Sequence, residues 1–291
     1  MLTLSDVTKS FGLRRVLDGV SVEIAAGESV ALLGANGSGK TTTLRCIVGL
    51  AHPDCGRIAV GGIDAARDPL GARARMSYLP QRSLFPGTLS VRETLQVVAR
   101  LRSTHAAAVD RELAACDLSS LADRNVAQLS GGERQRLAMA VAFLPAVDLY
   151  LFDEASANLD PTALRILFRR ARQLKREGRT LLFTTHLPAD VRRLATRAIV
   201  LRDGRIESDS AGAYGKPLVR GGRLMPRSAY SKGSRKALRA MRKRYGTKRG
   251  TSIFYAKANK YGRGKSNARK ANSVYSKGRK LKGRSRRRRR R

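Results

Sequence analysis

Gly34-Ala35-Asn36-Gly37-Ser38-Gly39-Lys40-Thr41 is the stretch of this 291-residue chain that decides its fold. An apolar run over Ser29–Leu33 precedes it, and an apolar helical pattern over residues 44–50 follows it. Its glycines allow backbone N–H groups to turn inward around a phosphate, and the helix that starts there directs its positive dipole end at the same anion. This P-loop pattern predicts that Lys40 contacts the β- and γ-phosphates of a nucleotide and that the Thr41 hydroxyl coordinates magnesium. An ordinary Gly-rich turn between a strand and a helix is the alternative interpretation.

Strand and helix patterns alternate along the rest of the N-terminal part. Residues 2–7 and 20–24 alternate apolar with polar side chains, as half-buried antiparallel strands do. Residues 149–152 and 180–183 read as brief apolar strands. Helical patterns fill Val91–Leu101 and residues 111–116, 134–144 and 162–177. This order predicts an α/β fold with a mainly parallel core sheet, N-terminal antiparallel strands, and ligands at the carboxyl ends of the parallel strands.

Two adjacent carboxylates, Asp153 and Glu154, follow the apolar strand at residues 149–152. Apolar residues would be less costly at the end of a buried strand, and a bound cation would explain why acids stand there. Asp153 suits the magnesium shell, mostly through water, and Glu154 suits polarising the water that attacks the γ-phosphate. A capping pair would look the same. Because the pair lies 113 residues after Lys40 of a P-loop, we favour the catalytic interpretation.

Leu129-Ser130-Gly131-Gly132-Glu133-Arg134-Gln135-Arg136 lies between these two sites and is another Gly-rich turn that opens a helix. Such a turn is a second anion site without a lysine of its own. The segment matches the signature motif of the ABC ATPases, and the chain resembles that family over about residues 1–210. The resemblance implies a P-loop NTPase domain of the ABC type over residues 1–212, with a helical signature subdomain at about residues 85–145. It also implies Mg-dependent ATP hydrolysis, in which the signature motif caps the γ-phosphate of ATP held by the P-loop of a facing subunit.

The resemblance assigns further residues by their order and spacing. It implies that Phe11 stacks on adenine, that Gln81 touches magnesium and the attacking water, and that His186 contacts the γ-phosphate. The nucleotide contacts it implies within the subunit are Phe11, Gly34, Ala35, Asn36, Gly37, Ser38, Gly39, Lys40, Thr41 and Thr42. The contacts it implies in trans are Ser130, Gly131, Gly132 and Asp160. The implied magnesium ligands are Thr41, Gln81 and Asp153, and the implied catalytic set is Glu154, His186, Gln81 and Lys40. Ala155-Ser156 departs from the family's common Pro-Thr, which should loosen the turn and leave the chemistry intact.

The number of cassettes and the length between motifs indicate which kind of ABC ATPase the chain resembles. A single cassette is present, and the 90 residues from Lys40 to Ser130 leave no room for a long coiled-coil insertion, so translation-factor and chromosome-organising types are disfavoured. No apolar run approaches the ~18 residues that span a bilayer. The three cysteines are too few and too scattered for a disulfide framework. We therefore expect free thiols, as in proteins of a reducing cytosol. The resemblance therefore implies a cytoplasmic ATP-binding subunit, held at the inner face of the cell membrane by a separate permease and paired with a second, identical or different, ABC subunit.

The basic charge is placed unevenly along the chain. The formal charge is +37, but every acidic residue lies at or before Asp209, so residues 213–291 alone carry +30. We expect residues 213–224 to be a Gly-rich linker. We expect residues 225–291 to be disordered or weakly helical, with any short helix near residues 235–245, because they contain few large aliphatic side chains. Tyrosines spaced among Lys, Arg and Gly suit non-specific binding of nucleic acid. Contact with an anionic membrane, or a fused segment without a role, are the alternatives.

This basic tail, residues 225–291, also allows a second function for the whole chain. In composition alone it resembles small arginine-rich DNA-packaging proteins and protamine-like segments. On that interpretation the chain is a nucleic-acid-binding or packaging protein, and the ABC cassette is its motor or a passenger. Met225-Pro226 is compatible with such a fusion.

Overall fold

A computed structural model describes residues 1–157, 159–185 and 187–210, which form two sheets with helices packed around them. The strands are β1 (Leu2–Phe11), β2 (Arg14–Ile24), β3 (Ser29–Leu33), β4 (Cys55–Val60), β5 (Ile63–Asp64), β6 (Met76–Leu79), β7 (Leu149–Asp153), β8 (Thr180–Thr184), β9 (Arg197–Arg202) and β10 (Arg205–Asp209). The helices are α1 (Lys40–Ile47), α2 (Pro69–Ala74), α3 (Val91–Leu101), α4 (Ala107–Ala115), α5 (Gly131–Phe143), α6 (Pro161–Arg176) and α7 (Pro188–Leu194). The predicted linker at 213–224 and the tail at 225–291 lie outside the described residues.

The larger sheet is mainly parallel, as predicted, with the order β10-β9-β3-β8-β7-β6. β3 pairs in parallel with β8 and β9, β7 pairs in parallel with β8 and β6, and only β10 at the edge is antiparallel. Thr184 at the end of β8 stands opposite Leu32 on one side and Asp153 on the other. The carboxyl ends of these parallel strands therefore lie side by side. They bring together the loop after β3, the acids at the end of β7 and the segment after β8.

The smaller sheet is antiparallel, with the order β2-β1-β4-β5. The predicted strands at 2–7 and 20–24 are confirmed as parts of β1 and β2, with Leu2 opposite Ile24. β1 runs further than its alternating pattern, to Phe11, because register shifts after Leu4 absorb the break in alternation. Phe11 pairs with Arg14 and therefore lies at the tip of the β1–β2 hairpin.

Two capping boxes fix the starts of helices in the helical subdomain. The Ser90 hydroxyl accepts from the N–H of Glu93, whose carboxylate accepts in return from the N–H of Ser90, and α3 has its predicted bounds. Ser130 and Glu133 form the same reciprocal pair at the start of α5. Because the cap sits at Ser130, α5 begins at Gly131, three residues before the apolar pattern suggested.

Other helices also begin before their apolar patterns. α1 begins at Lys40, directly after Gly39, whose left-handed backbone ends the loop, and its apolar pattern starts only at residue 44. α4 begins at Ala107 instead of residue 111. The carboxylate of Asp160 accepts two backbone N–H bonds at the start of α6, and Pro161 supplies the preset φ of a first helical residue. In the described part of the chain, no helix is both long and apolar enough to cross a bilayer.

A buried ion pair joins the helical subdomain to the core. Arg170 of α6 donates to the carboxylate of Glu112 in α4 at 2.6 Å, and both side chains are largely buried. The same guanidinium lies 5.0 Å from the ring centroid of Phe143, at the end of α5. Burial raises the pKa of Glu112 to about 7, although the charge of Arg170 acts in the opposite direction. Three helices therefore meet at one charged and poorly solvated contact.

We expect Glu112→Gln to change how stability depends on pH. A carboxyl whose pKa is raised from 4.5 to about 7 keeps its proton in the folded state over a range where the unfolded chain has lost it. Its contribution to stability is present below pH 4.5 and is lost as the pH rises through 7. The free energy of unfolding of the variant, relative to the parent, should therefore rise by up to roughly 3 kcal/mol between pH 5 and pH 8.

Urea denaturation at a series of pH values measures this difference. Glu23→Gln is the matched control for the loss of a carboxylate, because Glu23 is exposed on β2. A Glu112→Gln curve that runs parallel to that of the parent would contradict the raised pKa.

Candidate functional site

The loop between β3 and α1 needs glycine at defined positions. A Cβ on Gly34 would lie 2.4 Å from the Ser38 hydroxyl, and a Cβ on Gly39, whose φ is 107°, would lie 2.8 Å from Leu17. Within the loop the N–H of Ser38 donates to the carbonyl of Ala35 at 3.1 Å. The backbone here therefore closes into the tight turn that the P-loop pattern predicts, in a shape that other residues could not follow.

Lys40 is the buried charge of this loop, with 5% of its surface exposed. Its Nζ donates to the carbonyls of Gly34 and Ala35 at 3.2 Å each and lies 3.6 Å from a carboxylate oxygen of Glu154. The buried hydroxyl of Ser38 has no hydrogen-bond partner among the described residues. A buried ammonium and an unsatisfied hydroxyl lining one loop fit the oxygen atoms of a phosphate.

Asp153 is a carboxylate with 1% exposure that is held by hydroxyl groups from three elements. Its Oδ1 accepts from Thr41 at 3.1 Å and from Thr184 at 2.7 Å, and its Oδ2 accepts from Tyr78 at 3.3 Å. Burial, together with the negative charge of Asp153, holds the pKa of Tyr78 far above its usual value, so that this phenol stays protonated and donates. All three donors are neutral, which leaves the carboxylate charge available to a cation.

The protein groups present fit magnesium bound together with a nucleotide. The Thr41 hydroxyl and the Asp153 carboxylate are oxygen ligands of the type that Mg²⁺ prefers, and such sites take their other oxygens from water and substrate phosphates. In the part of the chain that the structure describes, no group of three or more His, Cys, Asp or Glu side chains could hold a metal. The described side chains therefore do not build a closed metal cage of their own.

Glu154 is placed by the end of β7 and by strained backbone. Its φ of 47° lies in the left-handed region, and its N–H donates to the hydroxyl of Thr184 at 2.8 Å. Its carboxylate accepts from the amide of Gln81 at 3.3 Å and faces Lys40. The structure thus brings Lys40, Gln81 and Glu154 together, as their predicted roles require, while those roles themselves stay predictions.

The signature motif and Asp160 meet within the subunit. The hydroxyl and N–H of Ser130 are engaged by Glu133 in the capping box, and Gly131 has open space where a Cβ would be. A Cβ on Gly132 would lie 2.4 Å from a carboxylate oxygen of Asp160. Gly132 therefore lets the start of α5 approach the start of α6. Contact of these residues with the nucleotide of a facing subunit stays a prediction.

Phe11 presents an exposed ring at the tip of the β1–β2 hairpin, with 54% of its surface accessible. The ammonium of Lys9 lies 5.4 Å from the ring centroid and is itself held by Asp54 at 2.7 Å. An exposed aromatic face beside a fixed cation suits stacking with a planar base. Another predicted residue, His186, lies outside the described residues.

Sequence reasoning missed two residues of this site, Thr184 and Tyr78. Each stands at or beside the end of a parallel strand and donates a hydroxyl to Asp153. Both lie close in sequence to predicted site residues: Thr184 is two residues before His186, and Tyr78 is three residues before Gln81. A hydroxyl next to a motif residue carries no pattern of its own, so only the strand register identifies it.

Comparisons with known proteins agree with this geometry. The family described as ABC transporter matches residues 17–157. The chain is similar to the Nod factor export ATP-binding protein I of Paraburkholderia xenovorans (strain LB400), with 40% identity over 209 residues that cover 70% of this chain and 69% of that protein. The protein of the same name in Rhizobium meliloti is 38% identical, over 70% of this chain and 62% of its own length.

Solved structures give the same result. The structure of an ATP binding subunit of an ABC transporter superposes with a TM-score of 0.69 at 29% identity, covering 75% of this chain and 96% of that one. The dimeric structure of an ATP-binding cassette in a post-hydrolysis state, bound to ADP and Pi, superposes with a TM-score of 0.67 at 25% identity, covering 72% and 97%.

We expect Phe11→Ala to weaken ATP binding about fivefold to tenfold, because stacking on an aromatic face contributes about 1 kcal/mol. Phe11→Tyr keeps the face and should bind as the parent does. Leu13→Ala is the matched control, since Leu13 is an exposed apolar residue of the same hairpin. Titration with a fluorescent ATP analogue measures all three. Equal affinity in Phe11→Ala and the parent would exclude the stacking role.

Proposed function

The chain belongs to the ABC transporter family, and from that premise we propose that its ATP hydrolysis drives export through a separate membrane-spanning subunit. The observation that carries the proposal is the assembly of Lys40, Gln81, Asp153 and Glu154 at one sheet edge beside the phosphate loop. The direction of transport rests on similarity to relatives that are named for Nod factor export. Selection of the cargo falls to the membrane-spanning partner.

The proposed chemistry is phosphoryl transfer to water, which depends mostly on positioning and on neutralising charge. When bound, magnesium neutralises the phosphate oxygens, and Thr41 and Asp153 are the residues that would hold it. Lys40 and the loop N–H groups bind the β- and γ-phosphates. The Glu154 carboxylate accepts the proton of the attacking water. The Gln81 amide, which reaches Glu154 at 3.3 Å, orients that water.

We propose that the second half of each catalytic site comes from another ABC subunit. Ser130, Gly131 and Gly132 form a helix start that has no lysine and whose middle residue is open to approach. Such a start attracts an anion through its N–H groups and the helix dipole. We place it over the γ-phosphate bound by the facing subunit, together with Asp160. His186 completes this proposal as the residue that senses the γ-phosphate. The assembled dimer would stand at the cytoplasmic face of the membrane, where it contacts the permease.

We expect Glu154→Gln to lower the rate of ATP turnover by ~10²–10⁴ and to leave ATP binding intact, because the amide cannot accept the proton of the attacking water. Phosphate release measures turnover, and light scattering with MgATP measures the dimer that the variant should accumulate. Glu23→Gln, the exposed substitution on β2, should match the parent in both assays. Unchanged turnover in Glu154→Gln would remove the assigned base.

The basic tail carries a second proposal, which is that it binds nucleic acid without sequence preference. Its charge of +30 with no acidic residue supports neutralisation of phosphates, and its interspersed tyrosines support base stacking. The similarity to transporter subunits makes this binding an accessory of the transport function. It gives no support to the alternative in which the cassette serves a packaging protein.

We expect the full chain to bind DNA with a strong dependence on salt. The slope of log K against log salt should be about −0.7 to −0.9 for each phosphate contacted. Deletion of residues 213–291 should abolish this binding and leave basal ATP turnover unchanged. Fluorescence anisotropy with a labelled oligonucleotide measures the affinity.

Two other outcomes would count against this proposal. A salt-insensitive complex would exclude phosphate neutralisation, and binding to anionic vesicles but not to DNA would identify a membrane contact instead. ATP turnover that is stimulated by DNA only when the tail is present would favour the packaging alternative.

A further inference from the structure

We propose that Asp190 is a positioning residue that fixes the loop carrying Glu154 against the segment that follows β8. This inference rests on the proposed function, because it takes Glu154 as the base that accepts a proton from water. It assigns a role to three polar residues, Ser156, Thr185 and Asp190, that neither the sequence motifs nor the phosphate site uses.

Asp190 is a carboxylate of α7 with 4% exposure. One of its oxygens, Oδ2, accepts from the hydroxyl of Ser156 at 2.5 Å and from the hydroxyl of Thr185 at 2.6 Å. Ser156 lies two residues after Glu154, and Thr185 directly follows β8. A single carboxylate oxygen therefore joins the two loops that leave neighbouring parallel strands.

A second set of hydrogen bonds joins the same two loops on the N-terminal side of Glu154. Thr184 donates its hydroxyl to Asp153 at 2.7 Å and accepts from the N–H of Glu154 at 2.8 Å. The adjacent residue Thr185 reaches the other side of Glu154, because it shares Asp190 with Ser156. Glu154 is thus held between two hydrogen-bonded contacts to the segment after β8, one through Thr184 and one through Thr185 and Asp190.

The backbone conformation of Glu154 explains why hydrogen bonds are needed on both sides of it. Its φ of 47° is an unfavourable conformation for a residue with a side chain, and it persists only where the surroundings enforce it. Ala155 and Ser156 follow, so no proline ring fixes the next φ. Without the hydrogen bond from Ser156 to Asp190, we expect the loop to relax and the Glu154 carboxylate to move away from Gln81 and Lys40.

The burial of Asp190 supports the same conclusion. A buried carboxylate is costly unless charge-assisted hydrogen bonds satisfy it, and an apolar residue would fill the space at lower cost. Its two short bonds both go to loop hydroxyls. The charge at Asp190 is therefore better explained by holding these loops than by packing α7.

Ser156→Ala tests the proposal with the least disturbance to folding. The expected result is about a tenfold fall in kcat for ATP with little change in KM or in ATP affinity, because the nucleotide contacts remain. Ser156→Thr restores the hydroxyl and should restore kcat. Asp190→Asn should lower kcat in the same way and serves as the second variant.

Ser77→Ala is the matched control for the loss of a buried serine hydroxyl. Ser77 donates to the carbonyl of Ala142 at 2.6 Å, in a contact between β6 and α5 that lies outside the proposed network. Its thermal midpoint should fall by as much as that of Ser156→Ala, while its kcat stays at the parent value. An equal fall of kcat in both variants would overturn the positioning role.

The Glu154→Gln background separates this inference from the proposed function. If Asp190 and Ser156 act through Glu154, adding Ser156→Ala to Glu154→Gln should cause no further loss of the residual turnover, measured by release of labelled phosphate. A full tenfold loss in both backgrounds would overturn the inference. Parental turnover in Glu154→Gln alone would instead refute the assigned base, and the two failures are read from different variants.

Discussion

The buried carboxylate of Asp153 is the constraint on which the rest of the site depends. It accepts hydroxyl donors from the start of α1, the end of β8 and the end of β6. A carboxylate excluded from water must be satisfied in this way, so three elements are drawn to the end of β7. The phosphate loop, Gln81 and Glu154 follow from that convergence, because the loop leads directly into α1, Gln81 lies two residues after β6, and Glu154 directly follows Asp153.

A second buried charge plays the corresponding part in the helical subdomain. Glu112 and Arg170 connect α4 to α6, and Arg170 also lies against Phe143 at the far end of the helix that begins with the signature motif. At the near end of that helix, Gly132 lies against Asp160, which caps α6. The signature helix is therefore in contact with α6 or its cap at both ends. α6 therefore helps to set the position of the signature motif relative to the core, together with β6, whose Ser77 donates to Ala142 of the signature helix.

Prediction of the elements succeeded where a local signal was strong. α3 was predicted with its observed bounds, since apolar periodicity and the Ser90 cap agree. α5 begins earlier than its apolar pattern predicts because two glycines follow the Ser130 cap, so its first turn contains no apolar side chain. β4, β6, β9 and β10 were not predicted. Their patterns are short, and β4, β6 and β9 pair with strands far away in the sequence. β10 pairs with its neighbour β9, but it carries a charged residue at every second position.

The sequence by itself determined where the phosphate loop, the adjacent acids and the signature turn lie along the chain. Each is a local pattern that spans fewer than about ten residues, and in the phosphate loop the glycine conformations fix the geometry. Only the tertiary structure decided which hydroxyls satisfy Asp153 and Asp190. Tyr78, Thr184 and Ser156 reach their partners across 31 to 75 positions of the chain. The contacts of Tyr78 and Thr184 with Asp153 are set by the register of parallel strands, and the contact of Ser156 with Asp190 is set by the packing of α7. Both are properties of the assembled fold that no short stretch of sequence specifies.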